Sequence, residues 1–373
     1  MSLGLVAIVV LIALAFTYIN GFHDTANSIA TVVATKVLSP GQAVLLAAIT
    51  NMIGALWGTA VAATIAAGIV NTGVIEAGPQ LLICALLAAI VWNLLTWWLG
   101  LPSSSSHALV GALVGAAISA SGGRLEAVIW AQGAHWWAGK GVIPKVVVPM
   151  VVSPLLGFAL GFLLMGSLYA LLAWFASRKG VLRYLGRTPF VNSFFGKAQI
   201  VSASAMGLAH GMNDAQKSMG IIALALASAT AAGQFDGLPT WLTFLRIHES
   251  TAGGFAVPSW VAVVCALTMA GGTAGGGWRI IKTLGHKMVK LHPINGFAAE
   301  GSSALVILGA SMFGLPVSTT HVVSSSIMGV GAAKRFNAIR WSVVERMVWA
   351  WILTLPVTAM LAYGCVWIAQ HWF

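Results

Sequence analysis

The chain has 373 residues, 59% hydrophobic and only 7% charged, with a mean hydropathy of +0.92. A soluble domain carries about 25% charged residues, so the composition excludes a water-soluble globular protein and indicates an all-α polytopic membrane protein. The net charge of +11 does not point to nucleic acid, because the basic residues cluster between apolar runs, as in the cytoplasmic loops of membrane proteins.

A bilayer crossing needs about 20 apolar residues. The first apolar run, 3–19, has neither a basic leader nor a small-residue cleavage site, and is expected to be a retained helix and not a signal peptide. Ten crossings are predicted, at 2–36, 42–66, 81–99, 101–120, 145–177, 198–232, 256–277, 294–314, 316–333 and 347–369. The first and sixth are long and carry a polar interruption, which predicts two half-helices in each. The fourth and ninth are short and open with Ser/Thr runs, a pattern that fits a crossing or a re-entrant hairpin. Cys84, Cys265 and Cys365 lie in apolar runs without metal-ligand spacing and are expected to be buried small hydrophobes. Trp97, Trp98, Trp130, Trp136 and Trp137 fit aromatic belts at the membrane interface.

The first interruption is Gly-Phe-His-Asp-Thr-Ala-Asn at 21–27. A glycine there permits unwinding, and an ionisable group at membrane depth is costly enough to mark an ion or solute pathway. Asp24 can hold a cation or a proton; Asn27 can donate to an oxyanion and accept through its carbonyl. Asn51 sits in the next apolar run. In the fourth, Leu-Pro-Ser-Ser-Ser-Ser-His at 101–107 puts Ser104, Ser105 and Ser106 at a helix start. Backbone N–H groups and the positive dipole end gather there, a setting for an oxyanion, although some of these hydroxyls serve as caps. His107 follows, either relaying protons or supporting the loop.

The second half repeats the order. Gly-Met-Asn-Asp-Ala-Gln-Lys at 211–217 presents Asn213 and Asp214, with Lys217 where Asn27 stood. Lys217 offers a positive charge to an anion, or pairs with Asp214 three residues away. The glycine-rich run 271–277 lacks the ending of a phosphate-binding P-loop and is expected to pack a helix end. Glu300 is a second-tier candidate for the coupling ion, with Asn51 read as its counterpart. Leu-Pro-Val-Ser-Thr-Thr-His at 315–321 then brings Ser318, Thr319, Thr320 and His321.

Fourteen basic residues fall on one side of this ladder and four, Arg124, Lys140, Lys145 and Arg246, on the other. The excess marks the cytoplasmic face and puts both termini outside. The loop at 279–290 is basic enough to touch anionic lipid headgroups. Five crossings per half, in the same motif order, predict an inverted-topology repeat: 1–177, a cytoplasmic linker at 178–197, and 198–373.

The words at 21–27 and 210–214, and the proline-led words at 102–107 and 316–321, resemble the duplicated signature of the Pit inorganic phosphate transporter family. The resemblance covers nearly the whole chain, including Gly277, Trp278 and Arg279, and looks most like the bacterial low-affinity members. It implies symport of inorganic phosphate with a cation, through a midplane site between inverted repeats, by a homodimer in the bacterial inner (plasma) membrane. Protons are the implied coupling ion, with phosphate carried as a neutral divalent metal complex. Sodium coupling is the alternative, and Lys217 departs from sodium-coupled relatives whose second copy ends in Asn. The expected substrate site comprises Asp24, Asn27, Ser104, Ser105, Ser106, Asn213, Asp214, Lys217, Ser318, Thr319 and Thr320. Asp24, Asp214 and Glu300 are the coupling-ion candidates. No cofactor is implied. A sulfate permease on the same scaffold and a cation channel are the rival transport readings; an enzyme is disfavoured because no nucleophile–base spacing singles out one Ser.

Overall fold

The computed structural model describes residues 3–75, 77–135, 138–247, 249–250 and 254–372; Trp136 and Trp137 lie outside them. In the first half α1 (Leu3–Ala34), α2 (Pro40–Ala55), α3 (Ala60–Ala67), α4 (Pro79–Leu99), α5 (Ser105–Ala120) and α6 (Val148–Ser177) follow in order. A hairpin of two short strands, Gln132–His135 and Ala138–Lys140, precedes α6. After α7 (Val181–Leu185) come α8 (Thr188–Ala231), α9 (Ser259–Gly275), α10 (Trp278–Lys282), α11 (Pro293–Met312), α12 (Thr319–Lys334) and α13 (Trp341–Trp372). Helix α8 begins inside the segment read as a linker.

Four helices among the described residues are long and apolar enough to cross a bilayer alone: α1, α4, Ile143–Ser177 and α13. Two bent pairs add broken spans, α2 with α3 at 70° and α9 with the helical turns up to Lys287 at 58°. The predicted ladder is therefore not ten simple membrane helices. Helices α5 and α12 have 16 residues each and so rise only about 24 Å against a hydrocarbon core of about 30 Å. Helix α11 buries Asn295, Glu300, Ser302, Ser303 and Ser311, a polar face turned to protein, and leaves Leu305 and Met312 exposed on the other side. The outward faces of α6 and α13 carry exposed Leu155, Leu163, Trp174, Ile352 and Met360, as lipid requires.

The Gly-x-x-Asp words do not break their helices, contrary to the expectation of half-helices. Both α1 and the 44-residue α8 run through them unbroken. The glycines serve close approach instead. A Cβ on Gly21 would lie 2.5 Å from the Met269 carbonyl oxygen of α9, and one on Gly211 would overlap the Asn51 carbonyl oxygen of α2. Gly54 of α2 and Gly272 of α9 return the contact, against Leu208 and Tyr18. The actual breaks fall at Gly58, with φ of 85°, and Gly276, with φ of 67°, where a left-handed backbone favours glycine. The glycine-rich run at 271–277 packs a helix end, as expected. Asn51 and Glu300 are not counterparts. Asn51 matches Met269, since each offers its carbonyl to a motif glycine, whereas Glu300 lies on α11, which opens at Pro293 as α4 opens at Pro79.

Candidate substrate and cation site

Because α1 and α8 are continuous, residues spaced i, i+3, i+4 and i+7 share one face of each. On α1 these are Asn20, His23, Asp24 and Asn27; on α8 they are His210, Asn213, Asp214 and Lys217. All eight side chains are at most 2% exposed. The two faces meet the first turns of α5 and α12. Ser106 Oγ donates to the carbonyl of Val317 before α12, 3.1 Å away, and the rings of His107 and His321 lie 4.8 Å apart.

The contacts come in matching pairs, one pair within each half and the others across them. Ser105 of α5 lies 2.6 Å from Asp24 Oδ2, and Thr319 of α12 donates to Asp214 Oδ2 at 3.2 Å. Asn27 donates to Thr320 at 2.9 Å and to Thr319 at 3.2 Å, while Lys217 donates to Ser106. Thr320 is also 3.4 Å from Asp24 Oδ1, so one hydroxyl pair links the two aspartates through Asn27. Each carboxylate has an imidazole beside it: His23 Nδ1 at 2.6 Å from Asp24, and His210 Nε2 at 3.1 Å from Asp214. Asp214 additionally pairs with Lys217. One ligand atom each from Asp24, His210 and Asp214 lies within 4.8 Å of the others, a spacing that a single cation can bridge.

Of the sequence candidates, Asp24, Asn27, Ser105, Ser106, Asp214, Lys217, Thr319 and Thr320 converge here. Ser104 and Ser318 turn back to their own helices. Each accepts the backbone N–H three residues on, from His107 and His321 at 3.2 Å, as an N-cap. Asn213 turns away to Ser311 at 2.8 Å and the Leu315 carbonyl at 3.1 Å, pinning the turn before α12. Its counterpart His23 does the same for the α4–α5 turn, reaching Thr96 at 3.2 Å and Ser103 at 3.5 Å. Glu300 contacts neither aspartate. It sits among Thr31, Gln199 at 3.1 Å and Ser202 at 2.5 Å, between α1, α8 and α11. His321 stacks on Trp351, whose indole donates to the Pro102 carbonyl. Neither ring nitrogen of His107 has a partner among the described residues.

The sequence reading missed Asn20 and His210, which stand one turn before each aspartate, and Gln216. Gln216 accepts from Val61 N–H at 2.8 Å and so caps α3 after the break. A helical reading of the motifs, at four-residue spacing, singles out the first two. Gln216 carries no local signal, because its partner is more than 150 residues away.

Broken spans, two helix starts that meet and paired buried carboxylates define a polytopic helical transporter. Residues 20–362 match the Phosphate transporter family. A probable low-affinity inorganic phosphate transporter of Bacillus subtilis is 43% identical over 96% of this chain and 95% of its own length. Another so described, from Rhizobium meliloti, is 41% identical over 98% and 96%, and one from Mycobacterium bovis is 45% identical over 98% and 78%. A solved structure of a sodium-dependent phosphate transporter superposes over the full length of both chains with a TM-score of 0.79 at 23% identity, sharing the fold. The chain belongs to the phosphate transporter family. It is an integral membrane protein that transports phosphate, and it is not an enzyme.

Proposed function

We propose that the chain is a proton-coupled phosphate symporter in which a proton at the Asp24–Asp214 pair accompanies the anion. The observation that carries this is the meeting of two buried carboxylates with the first turns of two helices. Helix starts attract an oxyanion, and the hydroxyls of Ser105, Ser106, Thr319 and Thr320 can hold it without adding charge. Lys217 has three N–H donors, of which Asp214 and Ser106 take two, leaving one for the anion. Ionised and bare, the aspartates repel phosphate; a proton or a metal ion between them removes the repulsion. Cation and anion then bind better together than apart, which is coupling. A neutral divalent metal–phosphate complex satisfies the same electrostatics, its metal facing Asp24, His210 and Asp214. No cofactor takes part.

The matching contacts of α1 with α9 and of α8 with α2 support an inverted repeat, 1–177 against 198–373, and the excess of basic residues on one side supports both termini outside. We place the protein in a bacterial plasma membrane as a homodimer, its basic loops against anionic lipid. Glu300 is a separate cation or proton station behind the site, and the His107–His321 pair a relay or a support for the helix starts. Uptake of labelled phosphate into proteoliposomes tests the reading. An inward proton gradient without sodium is expected to drive accumulation, and excess sulfate to leave it unchanged. Accumulation that needs sodium and ignores pH contradicts proton coupling. Conductance without phosphate would make it a channel.

A further inference from the structure

The two copies of the site differ in what stands one turn beyond each aspartate. On α1, Asn27 brings a buried carbonyl oxygen, Oδ1, that has no partner among the described residues. The amide nitrogen of the same side chain donates to Thr320 Oγ1 at 2.9 Å, and Thr320 Oγ1 lies 3.4 Å from Asp24 Oδ1, so three oxygens gather around one amide. These are hard oxygen donors, the kind that sodium and other hard cations take. On α8 the matching position is Lys217. Its ammonium is bonded to Asp214 Oδ1 and to Ser106 Oγ, the counterparts of Asp24 and Thr320. Lys217 is wholly buried, and no other Lys or Arg among the described residues is. Each buried carboxylate has an imidazole beside it, but of the two only Asp214 also has a fixed positive charge, which the chain supplies covalently.

We propose that the Lys217 ammonium is a tethered cation. It permanently fills the second of two cation positions, so that each phosphate travels with one mobile cation fewer than a symmetric pair of sites would take. Lys217 thereby sets cation specificity: asparagine in its place, with the carbonyl oxygen that Asn27 already offers, opens the position to a monovalent cation such as sodium. The inference rests on the Asp24–Asp214 site proposed above.

Lys217→Asn and Lys217→Gln test it in the full-length protein by two readouts. Thermal unfolding in detergent, without phosphate, compares sodium chloride with choline chloride at equal ionic strength. The melting temperature of both variants is expected to rise with sodium and saturate, while that of the wild type stays flat. Phosphate uptake by Lys217→Asn with equal pH on both sides is expected to increase at least about fivefold when sodium replaces choline. Variant melting temperatures indifferent to sodium overturn the inference, as does a wild type that responds as strongly. Since a bound sodium ion should restore what the ammonium supplied, variants that fail to fold in sodium and choline alike overturn it too. The unfolding readout involves neither phosphate nor a gradient. A wild type that ignores a pH gradient would defeat the proton-symport reading and leave this readout standing.

Discussion

The polar faces of α1 and α8 are laid out on one plan and charged differently. Both hold an aspartate beside an imidazole, and both reach across to a helix start in the other half. On α1, besides its imidazole, Asp24 meets the hydroxyls of Ser105 and Thr320, and Asn27 one turn on has a spare oxygen. On α8 the carboxylate is locked in an internal ion pair with Lys217. A repeated motif thus gives one half that is open to a mobile cation and one that carries its own. Likeness of spacing sets where the groups meet; the single exchange of amide for ammonium sets what each half can bind.

That contrast can be broken by charge. Asp214→Asn strands a buried ammonium and is expected to reduce stability by about 3–5 kcal/mol. Adding Lys217→Met to it should recover most of the loss, because the charge and its partner then leave together. Chemical or thermal unfolding of the purified variants reads both. Asp24→Asn, with no ammonium to strand, should unfold nearly as the wild type does yet lose phosphate uptake by about a hundredfold, near the upper end of typical coupling energies. Equal destabilisation by the two Asp→Asn changes would erase the asymmetry.

Smaller effects sharpen the shared plan. Gly211→Ala drives a methyl group into the Asn51 carbonyl and is expected to cost about 1–3 kcal/mol as overpacking. Ser104→Ala and Ser318→Ala each remove a helix cap, worth about 1 kcal/mol. The affinity for phosphate should then change no more than the loss of stability explains. A selective rise in KM for either serine variant would return that hydroxyl to the substrate.

Much of this was legible in the sequence. Low charge and long apolar runs gave the membrane fold, and the proline-led Ser/Thr words marked the starts of α5 and α12. Asp24 and Asp214 stood out because a carboxylate is expensive in an apolar run. The continuity of α1 and α8 was not legible. A glycine in such a run looks the same whether it permits a break or a close approach, and the deciding carbonyls of Met269 and Asn51 come from distant helices. For the same reason the bends at Gly58 and Gly276 went unread. Nor does a run of serines show which hydroxyl caps and which faces the site: Ser104 turns back to its own helix, whereas Ser105 reaches Asp24. Glu300 shows in the sequence only as a second-tier carboxylate in an apolar run, and its place, held by three donors from α1 and α8 away from the aspartates, depends on distant residues.

The most direct test is a structure determined with phosphate bound. A tetrahedral oxyanion is expected between the first turns of α5 and α12, within hydrogen-bonding distance of Ser105, Ser106, Thr319 or Thr320, with Asp24 and Asp214 on either side. Phosphate found instead beside Glu300, or in the 610 Å³ basic pocket lined by Lys290, Lys334, Arg335 and Arg340, with the aspartates empty, would contradict that placement.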